Sequence, residues 1–317
     1  TTSNTVLVGN NAGDAISHAD ANGTVAVGYN ALGALTTGRK NTAVGYEALL
    51  TQVDGDNNTA VGYQALKTVE ASSDGYGHNT AVGSLALTAL TTGVGNIAVG
   101  SGALDESTDG DGNIAIGYNA LTNVAVSEDF NIAIGYDAMS NVDEGTAGGD
   151  ADNNIAIGFN ALLGGDFAGN DRQLQGNIAI GNESLDATGT NAMTGAIAIG
   201  HQALTALTSG LNNTAIGYQA SQAMTTADNC TVIGYRAFES ADGDEDENTM
   251  IGTQAGRDID NDGSDNNVAI GYSAGLGGSG ALARNVAVGA YAMDGTGSIG
   301  GTDNVFIGSS AGGGSWA

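Results

Sequence analysis

A string of Val, Ile or Thr, one mostly small residue, Val or Ile, and then glycine recurs along the whole chain at intervals of 17 to 23 residues. Seventeen copies occur, anchored on Gly9, Gly28, Gly45, Gly62, Gly83, Gly100, Gly117, Gly135, Gly158, Gly181, Gly200, Gly217, Gly234, Gly252, Gly271, Gly289 and Gly308. Counted from the glycine, position −1 is Val or Ile in all seventeen, and position −3 is Val, Ile or Thr in all seventeen. Position −2 is Ala in thirteen, with Leu7, Val232, Met250 and Phe306 as exceptions. Alternation with period two predicts a short strand, with −3 and −1 on one face and −2 and 0 on the other. A short, nearly fixed period predicts one supersecondary unit stacked on copies of itself, not a globular core.

The flanks repeat too. Position −4 is Asn in thirteen copies, the exceptions being Thr5, Thr24, Ala196 and Cys230. Asn suits a corner because it tolerates left-handed backbone and bonds its own turn. Stacked corners also predict amide ladders. After the glycine, +1 is Tyr in eight copies and Phe159 in a ninth, +3 is Ala in sixteen, and +4 is Leu in nine. This alternation predicts a second short strand carrying a buried Ala and Leu, followed by a return loop that absorbs all variation in length. The expected fold is all-β: a parallel β-solenoid, or β-roll, of about seventeen coils, with residues 1–311 as one repeat domain and 312–317 as a tail. At about 4.8 Å per coil such a stack would be roughly 80 Å long.

The two strand faces differ in bulk. The β-branched −3/−1 face fills space, and the free exchange of Thr42, Ile97 and Val268 at −3 marks a buried, shape-filling slot. The −2/0 face is almost purely Ala and Gly. Left in water it would be a long apolar stripe, which soluble monomers rarely expose. The stripe therefore predicts close packing against another surface, most simply the same Ala/Gly stripe on sister chains.

Composition narrows the function. The chain carries 35 acidic and 7 basic residues, a formal charge of −28. Nucleic acid is excluded as a partner, since phosphate binding needs clustered Lys and Arg. Membrane insertion is not expected, because no run approaches about 18 apolar residues. Cys230 is the sole cysteine, so no disulfide framework exists. Opening at Thr1 within the first repeat, without Met or a signal-peptide pattern, reads as a processed product or part of a longer chain.

These residues resemble two known families. The pattern around the glycine is similar to the head repeats of trimeric autotransporter adhesins. The string Asn-Thr-Ala-Val-Gly-Tyr-x-Ala-Leu at Asn41–Leu49 and Asn58–Leu66 more closely resembles repeats of phage tail-fibre-like proteins. The likeness runs from Thr5 to Ala311. It implies left-handed parallel β-rolls packed three abreast, as a homotrimer. For the fibre proteins it also implies a C-terminal chaperone that cleaves itself off, and the ending Gly312–Ala317 fits such cleavage or a truncation.

Little in the chain suggests an enzyme or a cofactor. His18, His78 and His201 lie in different repeats, Cys230 has no local His, and Gly275–Gly280 matches a dinucleotide-binding glycine pattern without strand or helix context. The acidic loops are better candidates. Asp258, Asp260, Asp262 and Asp265, with Gly263, have the alternating spacing that wraps oxygen ligands around calcium. The bidentate Glu of an EF-hand is replaced by Ala269. Asp242, Asp244, Glu245, Asp246 and Glu247 form a second cluster, and Asp109 with Asp111 and Asp54 with Asp56 form thinner ones. The alternative is that these are solvated loops whose charge prevents lateral aggregation. The Tyr row reads either as a sugar-binding surface or as rings packed flat along the solenoid. Its adherence to the repeat favours the latter.

The expected function is structural: an extracellular or virion-surface shaft presenting a receptor- or glycan-binding surface, as in a phage tail fibre for host attachment. A bacterial surface adhesin or extracellular matrix filament of the same build is the alternative. An ice-binding solenoid is the distant one, disfavoured by the exchange of Thr with Ile and Val.

Overall fold

The computed structural model describes residues 4–16, 21–69, 77–123, 128–142, 151–164, 173–188, 192–278, 280–295 and 300–313. His18, the middle of the Ser140–Asn153 loop, one residue of Gly275–Gly280 and residues 314–317 of the tail lie outside them. The chain forms two compact units, one of described residues up to Asn154 and one from Ile155 onward. Each is an all-β parallel solenoid.

The first unit has strands β1 (Val6–Val8), β2 (Val25–Val27), β3 (Thr42–Val44), β4 (Thr59–Val61), β5 (Thr80–Val82), β6 (Ile97–Val99), β7 (Ile114–Ile116) and β8 (Ile132–Ile134). Each pairs in parallel with the next. The second unit has β9 (Ile155–Ile157), β10 (Leu174–Gln175), β11 (Ile178–Ile180), β12 (Met193–Thr194), β13 (Ile197–Ile199), β14 (Thr214–Ile216), β15 (Thr231–Ile233), β16 (Thr249–Ile251), β17 (Val268–Ile270), β18 (Leu282–Ala283), β19 (Val286–Val288), β20 (Gly301–Thr302) and β21 (Val305–Ile307). Its three-residue strands form one parallel ladder, and the two-residue strands pair β10 with β12 and β18 with β20. Register is strict: Thr42 faces Thr59, Ala43 faces Ala60 and Val44 faces Val61.

The faces are opposite to the sequence expectation. Ala43, Ala60, Ala81, Ala98 and Ala115 are wholly buried inside their own coils, while the flanking Val, Ile and Thr face outward and are half-exposed. The Ala stripe is therefore covered by the chain itself and is not presented to sister chains. The coil is too narrow for two bulky layers. Its interior already holds Ala48 at +3 and Leu49 at +4, both fully buried, so a methyl group suffices at −2 to fill it. Interior volume is shared within a coil. Three of the four large −2 residues, Leu7, Met250 and Phe306, are matched by glycine at +4, as Gly13, Gly256 and Gly312; the fourth, Val232, stands with Phe238. A Cβ on Gly256 would lie 2.5 Å from Met250 Sδ.

The segment after the glycine is also not a strand. It is a turn in which +2 and +4 take left-handed backbone, as at Glu47 (φ 53°) and Leu49 (φ 52°). Coil-to-coil hydrogen bonds offset the strain: Glu47 N–H donates back to Tyr29 O and Leu49 N–H donates forward to Ala65 O. The anchor glycine itself is dictated by close approach. Gly45 has φ 145°, and a Cβ there would lie 2.1 Å from Gly62 O.

The expected Asn ladder is present. In the first unit the Oδ1 of Asn41, Asn58, Asn79, Asn96, Asn113 and Asn131 each accepts the backbone N–H of the equivalent Asn one coil on, at 2.8 to 3.0 Å. The amide nitrogens of Asn41, Asn79, Asn96, Asn113 and Asn131 bond the last stretch of the return loop, for example Asn96 Nδ2 to Gly110 O at 2.6 Å, whereas Asn58 Nδ2 is buried without a partner.

Candidate functional site

Three surfaces emerge from this frame. The first is the outward strand face. From β2 to β8, and again through the second unit, it is two columns of Val, Ile and Thr with no charged residue. Ile97, Val99 and Ile116 are 36–38% exposed. Six of the outward −3 positions are Thr: Thr42, Thr59, Thr80, Thr214, Thr231 and Thr249. The Thr/Ile/Val exchange therefore belongs to a surface, not to a buried slot. Period-two alternation separates two faces without saying which is inside.

The second surface is the aromatic row at +1. Tyr29, Tyr46 and Tyr63 stack at centroid distances of 5.2 and 5.4 Å, and Tyr118 stacks on Tyr136 at 5.1 Å. In the second unit His201, Tyr218 and Tyr235 stack at 5.3 and 5.4 Å. Neighbouring rings cover one another's faces and present their edges to water. Sugar rings stack on aromatic faces, so this arrangement supports the packing role.

The third surface is the acidic rim of return loops. Much of its charge has a structural task the sequence reading missed. Asp56 accepts the N–H of Arg39 at 2.6 Å, Asp111 that of Val94 at 2.7 Å, Asp129 that of Asp111 at 2.6 Å, and Asp228 that of Leu211 at 2.6 Å. Each is six residues before its glycine, so the signal was legible as an enrichment at −6. Burial pushes Asp129 and Asp246 above the usual carboxylate range, against the lowering effect of the bonded N–H groups.

The four predicted calcium-loop residues part ways. Asp258 forms a bidentate ion pair with Arg257 at 2.8 Å. Asp265 joins the −6 row by accepting Asp246 N–H at 3.1 Å. Asp262 lies against Gly243, its Oδ1 2.2 Å from where a Cβ would stand. Asp260 meets Asp242 and Glu245 of the preceding coil, and one carboxylate oxygen from each of the three lies within 4.8 Å of the others. Two of the predicted residues thus have other partners. Stacking brings together residues of successive coils instead of one contiguous loop.

Cys230 occupies the Asn position as expected. Its N–H donates to Asn213 Oδ1 at 2.9 Å and its thiol donates to Glu245 O at 3.1 Å. Burial pushes the thiol pKa up to about 12, which disfavours the reactive thiolate form. His78 lies in the first unit and His201 in the second. Among the described residues no helix is long and apolar enough to cross a membrane. No protein-family model matches the chain, and no curated protein sequence is significantly similar to it.

Proposed function

We propose that this chain is a non-catalytic, fibre-forming component found outside the cell or on a virion. In this reading it assembles as a parallel homotrimer and presents its return loops to a cell-surface receptor or glycan. A phage or phage-like tail fibre is the reading the repeat resemblance favours, with a bacterial surface adhesin or matrix filament as its alternative. The observation that carries it is the outward strand face. Within each unit, an uncharged, β-branched strip exposed from coil to coil is costly in water. A second copy has the same coil period, so its columns interdigitate without mismatch. The −28 charge sits off the strands, largely in the loops, and does not oppose contact through this face. Association through β-branched columns replaces association through the Ala/Gly stripe.

Ice binding is less well supported because the outward columns are mostly Val and Ile, with Thr at only six positions. The solution mass tests the proposal. One chain is 31.1 kDa, and light scattering is expected to give three times that mass. A stable single-chain mass overturns the homotrimer, and thermal hysteresis of such a monomer would then support the ice-binding reading.

A further inference from the structure

Glu245 is a charged residue in the wrong place for a solvated loop. It is 0% exposed. Its Oε2 accepts the N–H of Gly243 at 3.0 Å, and its Oε1 has no hydrogen-bond donor. Its backbone is pinned from within, because its carbonyl accepts both the Cys230 thiol and Asn248 Nδ2, the latter at 2.9 Å. The carboxylate is thus held by the fold beside two more carboxylates, Asp242 on its own return loop and Asp260 on the next, with one oxygen of each within 4.8 Å of the others. Asp262, against Gly243, adds a fourth negative group nearby. None of the ion pairs among the described residues includes Asp242, Glu245 or Asp260.

We propose that Asp242, Glu245 and Asp260 bind a calcium ion that ties together the return loops preceding β16 and β17. A buried carboxylate with an unpartnered oxygen needs a compensating positive charge. Three converging carboxylates repel one another unless a cation sits among them. The donors are all hard oxygens, with no imidazole or thiolate directed at the point of convergence, which favours calcium over zinc. Two of the three donors sit at the exposed rim, which leaves room for water to complete the six to eight oxygens that calcium takes and that the stricter magnesium shell does not need. The −3 charge of the ligands exceeds the +2 of the ion, so the site also offsets part of the repulsion along the rim.

The rival means of neutralising Glu245 is a proton shared with Asp242 or Asp260, and the experiment separates the two. Full-length protein, stripped with chelator, is titrated with calcium chloride alone by calorimetry, and its melting is followed with and without the ion. The expected result is one saturable site per chain with a dissociation constant of about 0.1–1 mM, the range of extracellular calcium modules, together with a rise in melting temperature on adding calcium. Glu245→Gln and, at the exposed rim, Asp260→Asn are each expected to weaken binding at least tenfold. Asp258→Asn, which removes only the partner of Arg257, is expected to leave it unchanged. Asp260→Asn keeps the test decisive if the buried substitution prevents folding. Absence of a saturable site, or undiminished binding in Asp260→Asn, overturns the proposal. Equal loss in Asp258→Asn also overturns it, by moving the ion to the 258–265 loop.

Discussion

Asn96 Oδ1 accepts the backbone N–H of Asn113, seventeen residues later and one coil on, at 2.8 Å. The same side chain donates from Nδ2 to Gly110 O at 2.6 Å. One amide therefore satisfies two buried main-chain groups of the next coil and fixes its register. Asn96→Ala orphans both, and at about 1–3 kcal/mol for each unsatisfied group the expected loss is about 3 kcal/mol. Urea unfolding of the variant beside the parent measures it. A loss below 1 kcal/mol would mean the ladder is a by-product of stacking and not a cause of it.

Gly45→Ala is expected to be worse. The added methyl group meets the Gly62 carbonyl at 2.1 Å, and no side chain there can yield because the obstacle is backbone. The φ of 145° adds strain. A destabilisation on the order of 4 kcal/mol or failure to fold is expected. Expression level and thermal melting read the result.

Cys230 interrupts the Asn ladder of the second unit, leaving Asn248 N–H to a sulfur at 3.4 Å. Cys230→Asn restores an oxygen acceptor and an amide donor at that corner. A gain of about 1 kcal/mol is expected, measured by the denaturant midpoint. In the parent protein the thiol is 1% exposed. It is expected to resist a disulfide reagent in native buffer and to react fully in denaturant.

Asp105 gives the first unit a pH dependence. Burial raises its pKa from an ordinary 3.8 to about 6, with nearby Glu106 adding to the shift. The folded state then holds the proton more tightly than the unfolded chain does. This contribution is most favourable below pH 3.8, declines as pH rises through 6 and is flat above. The group is half-buried, so solvent screening reduces its effect to about 1 kcal/mol. Asp105→Asn is expected to raise stability at pH 7 by that amount and to flatten the profile between pH 4 and 6, as followed by melting temperature against pH.

Val99→Lys with Ile116→Lys places two charges on the outward face without touching the interior. The variant is expected to keep its β-sheet circular dichroism and to fall to the mass of one chain in light scattering. A mass of three chains in the double variant would remove this face from the assembly.

The pattern of Val, Ala and Ile before glycine made the strands, their parallel stacking and the Asn corners legible from sequence, because each follows from local chemistry repeated at one period. The inside and outside of the strand were not legible. That choice depends on coil width, set by Ala48 and Leu49 reaching in from another side, and no property of the strand itself reports it. The turn after the glycine was misread for a related reason. Leu49 at φ 52° is a conformation leucine does not choose alone, and only the bonds from neighbouring coils hold it there. Met250 with Gly256, and Phe306 with Gly312, exchange volume within a repeat, and this sequence signal marks −2 and +4 as neighbours in the core. Spacing along the chain reports only contacts within one loop, whereas Asp260 finds Glu245 across coils.

Thr59 faces Thr80 after 21 residues, and Thr80 faces Ile97 after 17, yet the pairing is equally in register in both steps. Loop length and axial spacing are thus decoupled. Insertions, deletions and new chemistry can accumulate at the rim of any one coil without its neighbours having to adjust. The fold behaves as a fixed ruler whose labels can be rewritten singly, so a lineage under pressure to change what its surface displays can do so mark by mark while the spacing of the marks stays the same.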